Sequence, residues 1–225
     1  EASIGQGVRR VVGVTGDAAV AAIARGEQLR AALSAATPPS GSERQALLVA
    51  KASLTAFRSV LDEAAAPAHV KGDLRAELEA HEKALTASFR QLSRALVDQC
   101  VAEAAEAAAA AASSGVPFAV VELPAGLDAK APQTISKRVC KDAPGVALLA
   151  LSAAADGAKL ICFAAVPATL RERLHAGDWL RAALEPCGGR GGGKPTMAQG
   201  TAPNVAAAAG AIAAARAFAQ SALLR

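Results

Sequence analysis

Leu47, Leu54 and Leu61 recur every seven residues, with Ala50, Phe57 and Ala64 at the intervening positions. Three such heptads draw an apolar seam down one side of a helix, and that seam must be buried against a partner. A partner stands close by in the sequence. Pro67 to Gly72 breaks the pattern, and beyond it Leu74, Leu78, Leu85, Phe89, Leu92 and Leu96 follow at three- and four-residue spacing. Two amphipathic helices joined by a short Pro/Gly turn predict an antiparallel helical hairpin, coiled-coil-like, over residues 43–66 and 72–112. The first helix is expected to open on a capping signal near Ser42. The second continues into an alanine-rich stretch ending near Ala112, where propensity favours helix but little side chain is left to bury. That stretch reads as a rod rather than a core element, and self-association through the two helices is its functional alternative.

The flanking segments follow other periods. Ile4 to Thr15, with Val8, Val11, Val12 and Val14 between glycines, predicts a short strand. After Thr15-Gly16-Asp17, Val20, Ile23, Leu29 and Leu33 predict a helix, stopped by Thr37-Pro38-Pro39-Ser40-Gly41. From Ser113 the texture changes. Ser113-Ser114-Gly115 reads as a linker, Pro117 to Leu123 as a strand, and residues 128–142 as a helix with Lys137, Arg138 and Lys141 grouped on it. Val146 to Ser152 and Lys159 to Val166 are apolar runs about an Asp156-Gly157 turn, a hairpin signal. A helix is expected from Thr169 to Leu184, carrying Leu170, Leu174, Trp179 and Leu180, and another from Asn204 to the end. The fold class is therefore mixed α+β and α/β: an N-terminal helical hairpin, then a small α/β layer domain with a glycine-rich loop. The segments are 1–36, 37–112 and 113–225.

Composition narrows the function classes. Hydrophobic residues make up 52% of the 225, but aromatics only 3%, so base stacking is a weak option for any nucleic-acid partner. Charged residues, at 20%, are too many and too evenly spread for a membrane protein. Ala107–Ala112, cut off by Glu106, falls far short of the roughly 20 residues a span needs. No membrane partner is expected. Residues 1–112 carry 12 Lys+Arg against 13 Asp+Glu, and residues 113–225 carry 12 against 7. The balances of −1 and +5 give the overall +4, and the second suits a module facing a polyanion. Cys100, Cys140, Cys162 and Cys187 lack CxxC or CxxH partners, which predicts reduced thiols, an intracellular compartment and no metal site. His69, His81 and His175 stand alone, and no nucleophile–base grouping or carboxylate pair stands out, so no catalytic residue is assigned. Arg9 and Arg10 are not followed by an apolar run, so the start is no signal peptide, and Glu1 in place of Met leads us to expect a piece of a longer chain.

Gly188-Gly189-Arg190-Gly191-Gly192-Gly193-Lys194-Pro195 is the densest signal. It superficially fits a phosphate loop, yet Pro195 stands where Ser or Thr must ligate magnesium, and a helix rather than a strand is expected before it. A dinucleotide fingerprint cannot be placed there either. What remains is physical: glycines let a partner approach the backbone and expose N–H groups to anions, while Arg190 and Lys194 add charge and Thr196 and Gln199 add neutral donors. Such a loop suits a sugar–phosphate backbone, where contacts position without reading bases.

Two stretches resemble one family. Ser3-Ile4-Gly5-Gln6-Gly7-Val8-Arg9-Arg10-Val11-Val12-Gly13-Val14-Thr15-Gly16 resembles the close of the editing domain of alanyl-tRNA synthetases. Cys187 to Gly200, with GGRGGGKPTMAQG, resembles the glycine motif of their C-terminal domain, shared with a family of phosphoesterases. The hairpin sits where those enzymes have a helical connector, and the Pro67 break followed by Leu74, Arg75 and Leu78 looks closest to the eukaryotic branch. The resemblance implies that 1–36 is the tail of an editing-type domain, 37–112 the connector and 113–225 the tRNA-binding domain. It also implies that the aminoacylation domain and the editing domain's zinc-binding motifs lie outside this chain. Zinc, ATP and magnesium belong to those missing domains, and no cofactor is expected here.

By the same resemblance, Gly189, Arg190, Gly191, Gly192, Gly193 and Lys194 are expected to touch RNA, with Lys137, Arg138 and Lys141 beside them; Arg9 and Arg10 match the closing editing motif. The expected function is the tRNA-binding C-terminal part of an alanine–tRNA ligase, cytoplasmic, holding the outer corner of the tRNA in support of aminoacylation and editing. The alternative is a detached, non-catalytic RNA-binding subunit of a ribonucleoprotein assembly. A third reading is a dimerisation module built on the heptad helices.

Overall fold

The computed structural model describes residues 2–5, 8–10, 12–36, 44–128 and 130–224. Two compact units divide the chain, Glu1–Leu92 and Ser93–Arg225. The first begins with a small antiparallel pair, β1 (Ala2–Gly5) and β2 (Val8–Arg10), in which Ala2 faces Arg10. The strand expected over Ile4 to Thr15 is thus two short strands, and Val12 to Thr15 have no regular structure. Three helices follow: α1 (Asp17–Ala36), α2 (Arg44–Glu63) and the 46-residue α3 (Ala68–Ser113). The expected stop at Thr37-Pro38-Pro39-Ser40-Gly41 and the cap at Ser42 lie outside the described residues.

The heptad pattern is realised from Leu47 to Leu61, while Ala64, expected to continue it, lies past the end of α2 and is half-buried. Leu47, Ala50, Leu54, Phe57 and Leu61 of α2 are buried with Leu74, Leu78 and Leu85 of α3, and Leu29 and Leu33 of α1 complete the same core. Arg58 pairs with Glu82 at 2.7 Å and Asp62 with Arg75 at 2.8 Å. Stepping back along α2 while stepping forward along α3 makes the two helices antiparallel. Lys71 Nζ donates to the carbonyls of Asp62 and Ala64 at 2.9 and 3.0 Å, satisfying acceptors that the end of α2 leaves open. At Gly26, α1 packs against α3: a Cβ there would lie 3.3 Å from Val70 Cγ1.

The second unit contains the strands β3 (Phe118–Leu123), β4 (Ala147–Ala153), β5 (Leu160–Ala165), β6 (Arg190–Lys194) and β7 (Met197–Ala202). Its helices are α4 (Ala131–Asp142), α5 (Ala176–Leu184) and α6 (Ala208–Leu223), in addition to α3 from Ser93 onward. The sheet order is β3-β4-β5-β7-β6. Only β3 and β4 are parallel, joined through α4, and the other three pairings are antiparallel.

Alternation sends side chains to two faces. Leu149 and Leu151, Cys162 and Ala164, and Ala198 and Ala202 face α5 and α6, whose Trp179, Leu180, Ala211 and Ala215 share their core. The Trp179 ring stands edge-on to Phe118 at 6.4 Å, and its Nε1 donates to the Ala215 carbonyl at 2.8 Å. Leu148, Ala150 and Phe163 face the other way, against Ile135 and Val139 of α4 and Cys100, Val101, Ala104 and Ala108 of α3. The alanine-rich end of α3 is therefore core and not a free rod. Short side chains bury little area each, but they let a helix backbone settle close to its neighbours, and Ala104 and Ala108 are fully buried.

Two expected helices are shorter than the pattern suggested. Thr169 to Leu174 forms turns, in which Leu174 N–H donates to the Leu170 carbonyl, and α5 begins only after an extended His175. The Ala176 N–H goes to Pro195 instead of continuing the earlier turn. The C-terminal helix starts at Ala208, after a single 3-10 turn. Val205–Leu223 has the length and mean hydropathy of a candidate membrane span, by composition alone. Here Ala211, Ala215, Ala219 and Leu223 of that segment are buried in the core.

Candidate nucleic-acid interface

The glycine segment is not a loop. It is the edge strand β6, folded back on β7 by a two-residue turn at Pro195-Thr196, with Lys194 opposite Met197 and Arg190 opposite Thr201. The turn is pinned twice: Ala176 N–H donates to the Pro195 carbonyl and Val166 N–H to the Thr196 carbonyl, both at 2.9 Å. Entry to the strand is set by Gly188, whose φ of +63° closes the preceding 3-10 turn.

Glycine is poor strand material unless something approaches the backbone closely. Here α5 does. A Cβ on Gly189 would lie 3.0 Å from Leu184 Cβ, and one on Gly191 would lie 2.7 Å from Leu180 Cδ2. A Cβ on Gly193 would collide with the Met197 carbonyl oxygen, and one on Gly200 would lie 2.6 Å from Leu184 Cδ1. These glycines form the inward row of the hairpin. The outward row is Arg190, Gly192 and Lys194, paired across the ladder with Thr201, Gln199 and Met197.

Register places that outward row precisely relative to the rest of the sheet: Gln199 faces Phe163 of β5, and Phe163 lies under α4. Over β4 and β5 the face is covered. Over β7 and β6 it is not: Arg190, Gly192, Lys194, Gln199 and Thr201 are all exposed, and Met197 is half-buried. Among the described residues neither Arg190 nor Lys194 has an ion pair, and no Asp or Glu occurs after Glu185 in the sequence. The result is an open, acid-free strip two strands wide, with two unneutralised cations on its edge.

Of the other expected contacts, Lys137, Arg138 and Lys141 are exposed on α4, the helix packed on this same side of the sheet. Arg138 is partly engaged, its guanidinium 3.5 Å from Asp98 on α3. The structure thus gathers the α4 cations and the β6 cations on one side. A Cβ on Gly189 or Gly191 would point at α5 and one on Gly193 at β7, so although every residue of β6 is exposed, its outward side-chain row is Arg190, Gly192 and Lys194. Arg9 and Arg10 lie in β2 of the first unit. Thr201 carries no charge or glycine signal of its own; what marks it is the alternation of Ala198, Gly200 and Ala202 with Met197, Gln199 and Thr201.

The cysteines are free and take no part in this face. Burial pushes the Cys100 thiol up to about 11, and it raises Cys140, Cys162 and Cys187 as well. Thiols held protonated in this way are poor nucleophiles and poor metal ligands.

Residues 115–222 match the DHHA1 domain family. Over 212 residues, 91% of its length, the chain is 30% identical to the cytoplasmic alanine–tRNA ligase of Drosophila melanogaster. Over 218 residues, 96% of its length, it is 32% identical to the alanine–tRNA ligase of Acidithiobacillus ferridurans. This chain corresponds to the C-terminal region of alanyl-tRNA synthetases. It spans 21% of the length of each of those two relatives, and identities to the animal and bacterial enzymes are too alike to separate the branches. A crystal structure of the C-Ala domain from Aquifex aeolicus alanyl-tRNA synthetase is 14% identical, with a TM-score of 0.41 over 45% of this chain and 90% of that one. In this alanyl-tRNA synthetase region the DHHA1 match contains the whole β6–β7 hairpin and α4.

Proposed function

We propose that the chain is the tRNA-binding C-terminal part of a cytoplasmic alanine–tRNA ligase, gripping the outer corner of the tRNA in support of aminoacylation and editing, with no cofactor of its own. The observation that carries this reading is the uncovered β6–β7 strip, where Arg190 and Lys194 project unpaired from an edge strand free of acidic residues. Such a surface engages phosphates by charge and shape, in keeping with a chain this poor in aromatic rings. The test is a filter-binding series against salt with a tRNA transcript specific for alanine. Affinity should fall as salt rises, and Lys194→Ala should weaken binding to all tRNAs alike and reduce the slope of log K against log salt by about one. Affinity indifferent to salt contradicts phosphate contacts.

The alternative, a detached non-catalytic module of a ribonucleoprotein assembly, draws support from one feature: Ser93–Arg225 buries cores on both faces of its own sheet. Intact mass of the native polypeptide separates the two, since a value near 22.4 kDa favours the module and one several-fold larger favours the ligase. Self-association through the paired helices α2 and α3 would have to use the exposed Leu48, Val49 and Val60, because the seam leucines are already buried within the chain. A monomer in sedimentation removes that reading.

A further inference from the structure

We infer that Gly192 is a contact seat for the RNA backbone, a bare patch of strand on which a ribose lies flat while Arg190 and Lys194 hold the phosphates to either side. The inference rests on the tRNA-binding reading of this face and adds the position on which close approach depends.

The argument is one of elimination within the hairpin. Gly188 is required by its positive φ, and Gly189, Gly191, Gly193 and Gly200 by the atoms a Cβ would strike on α5 or on the facing strand. Gly192 has neither reason. A Cβ there meets nothing within 4 Å, and its φ is not positive. The fold has room for a side chain at this position and would gain from a β-branched one, since glycine weakens a strand interior. What the missing side chain does provide is clearance, and it provides it midway between two cations of the same row. Arg190 and Lys194 are four residues apart on one face, about 13 Å along the strand. A side chain at Gly192 would stand up between them and hold a sugar–phosphate chain away from both. Gln199, opposite Gly192 in the ladder, is exposed and offers its amide to the same occupant.

The experiment compares Gly192→Ala, Gly192→Val and the double variant Arg190→Ala/Lys194→Ala in the full chain, reading thermal unfolding and affinity for the alanine tRNA transcript at fixed salt. Gly192→Val should melt at or above the wild-type temperature and bind about tenfold or more weakly, with Gly192→Ala between it and wild type. Wild-type affinity in Gly192→Val, with the double variant weakened, overturns the inference and leaves the tRNA-binding reading standing. A lowered melting temperature in Gly192→Ala overturns it too, because folding would then explain the glycine. If the wild-type chain itself shows no salt-sensitive binding, the functional reading fails and the inference fails with it.

Discussion

Two hairpins in one sheet are built on opposite terms. The β4–β5 hairpin is buried on both faces, and its strands, ALLALSA and LICFAA, are nearly continuous apolar runs. Its one buried hydroxyl, on Ser152, is satisfied by the Pro124 carbonyl at 2.6 Å. The β6–β7 hairpin is covered on one face only. It owes its shape to glycines that let α5 press against it, and it leaves charge and polar groups on the other face. A strand buried twice is held by hydrophobic area, whereas a strand buried once is held by close fit and keeps a face for a partner.

The contrast can be broken from either side. Leu149→Ala in β4 removes a fully buried side chain and leaves a cavity, so it should destabilise the protein by about 2–5 kcal/mol in urea unfolding. Gly191→Ala in β6 adds one methyl group where Leu180 and the facing strand already stand, and should cost about 1–3 kcal/mol by the same measurement. That loss should take RNA affinity down with it, whereas the Gly192 variants should lose affinity without losing stability.

A smaller effect follows from the buried thiols. Cys100 ionises at about 11 in the folded chain against an ordinary 9.0, so the fold holds this proton more tightly than the unfolded chain does. Its contribution is complete below pH 9 and is lost as pH rises from 9 toward 11. The urea midpoint should decline across that window, and less steeply in Cys100→Ala. Smallest of all is the exposed Arg138–Asp98 pair: Asp98→Ala should change stability by under about 1 kcal/mol while freeing Arg138 for a polyanion.

Legibility in the sequence followed the same division. The α2 seam, the α3 leucines, the Asp156-Gly157 hairpin and the β3 strand, though not its parallel pairing with β4, are legible, because each rests on a periodic or continuous apolar pattern. Arg190–Lys194 reads as a loop in the sequence because glycine carries no hydrophobic signal, and only the fit against Leu180 and Leu184 shows why a strand tolerates it. The end of α3 reads as a rod for a related reason: the burial of Ala104 and Ala108 depends on which surface comes to meet them. Within the candidate site, the cations and the glycine segment were visible in the sequence. Which glycines turn inward was not, since that is settled by the two-residue turn and by the register with β7.

The central claim is that the uncovered face of β6–β7, with α4 beside it, is where tRNA lies. Its most direct test is residue-resolved NMR mapping of the chain titrated with the alanine tRNA transcript. The account predicts that the largest amide shifts and broadening fall on Arg190–Lys194, Gln199–Thr201 and Lys137–Lys141. Perturbations confined to Glu1–Leu92, or to the exposed side of α6, would contradict it.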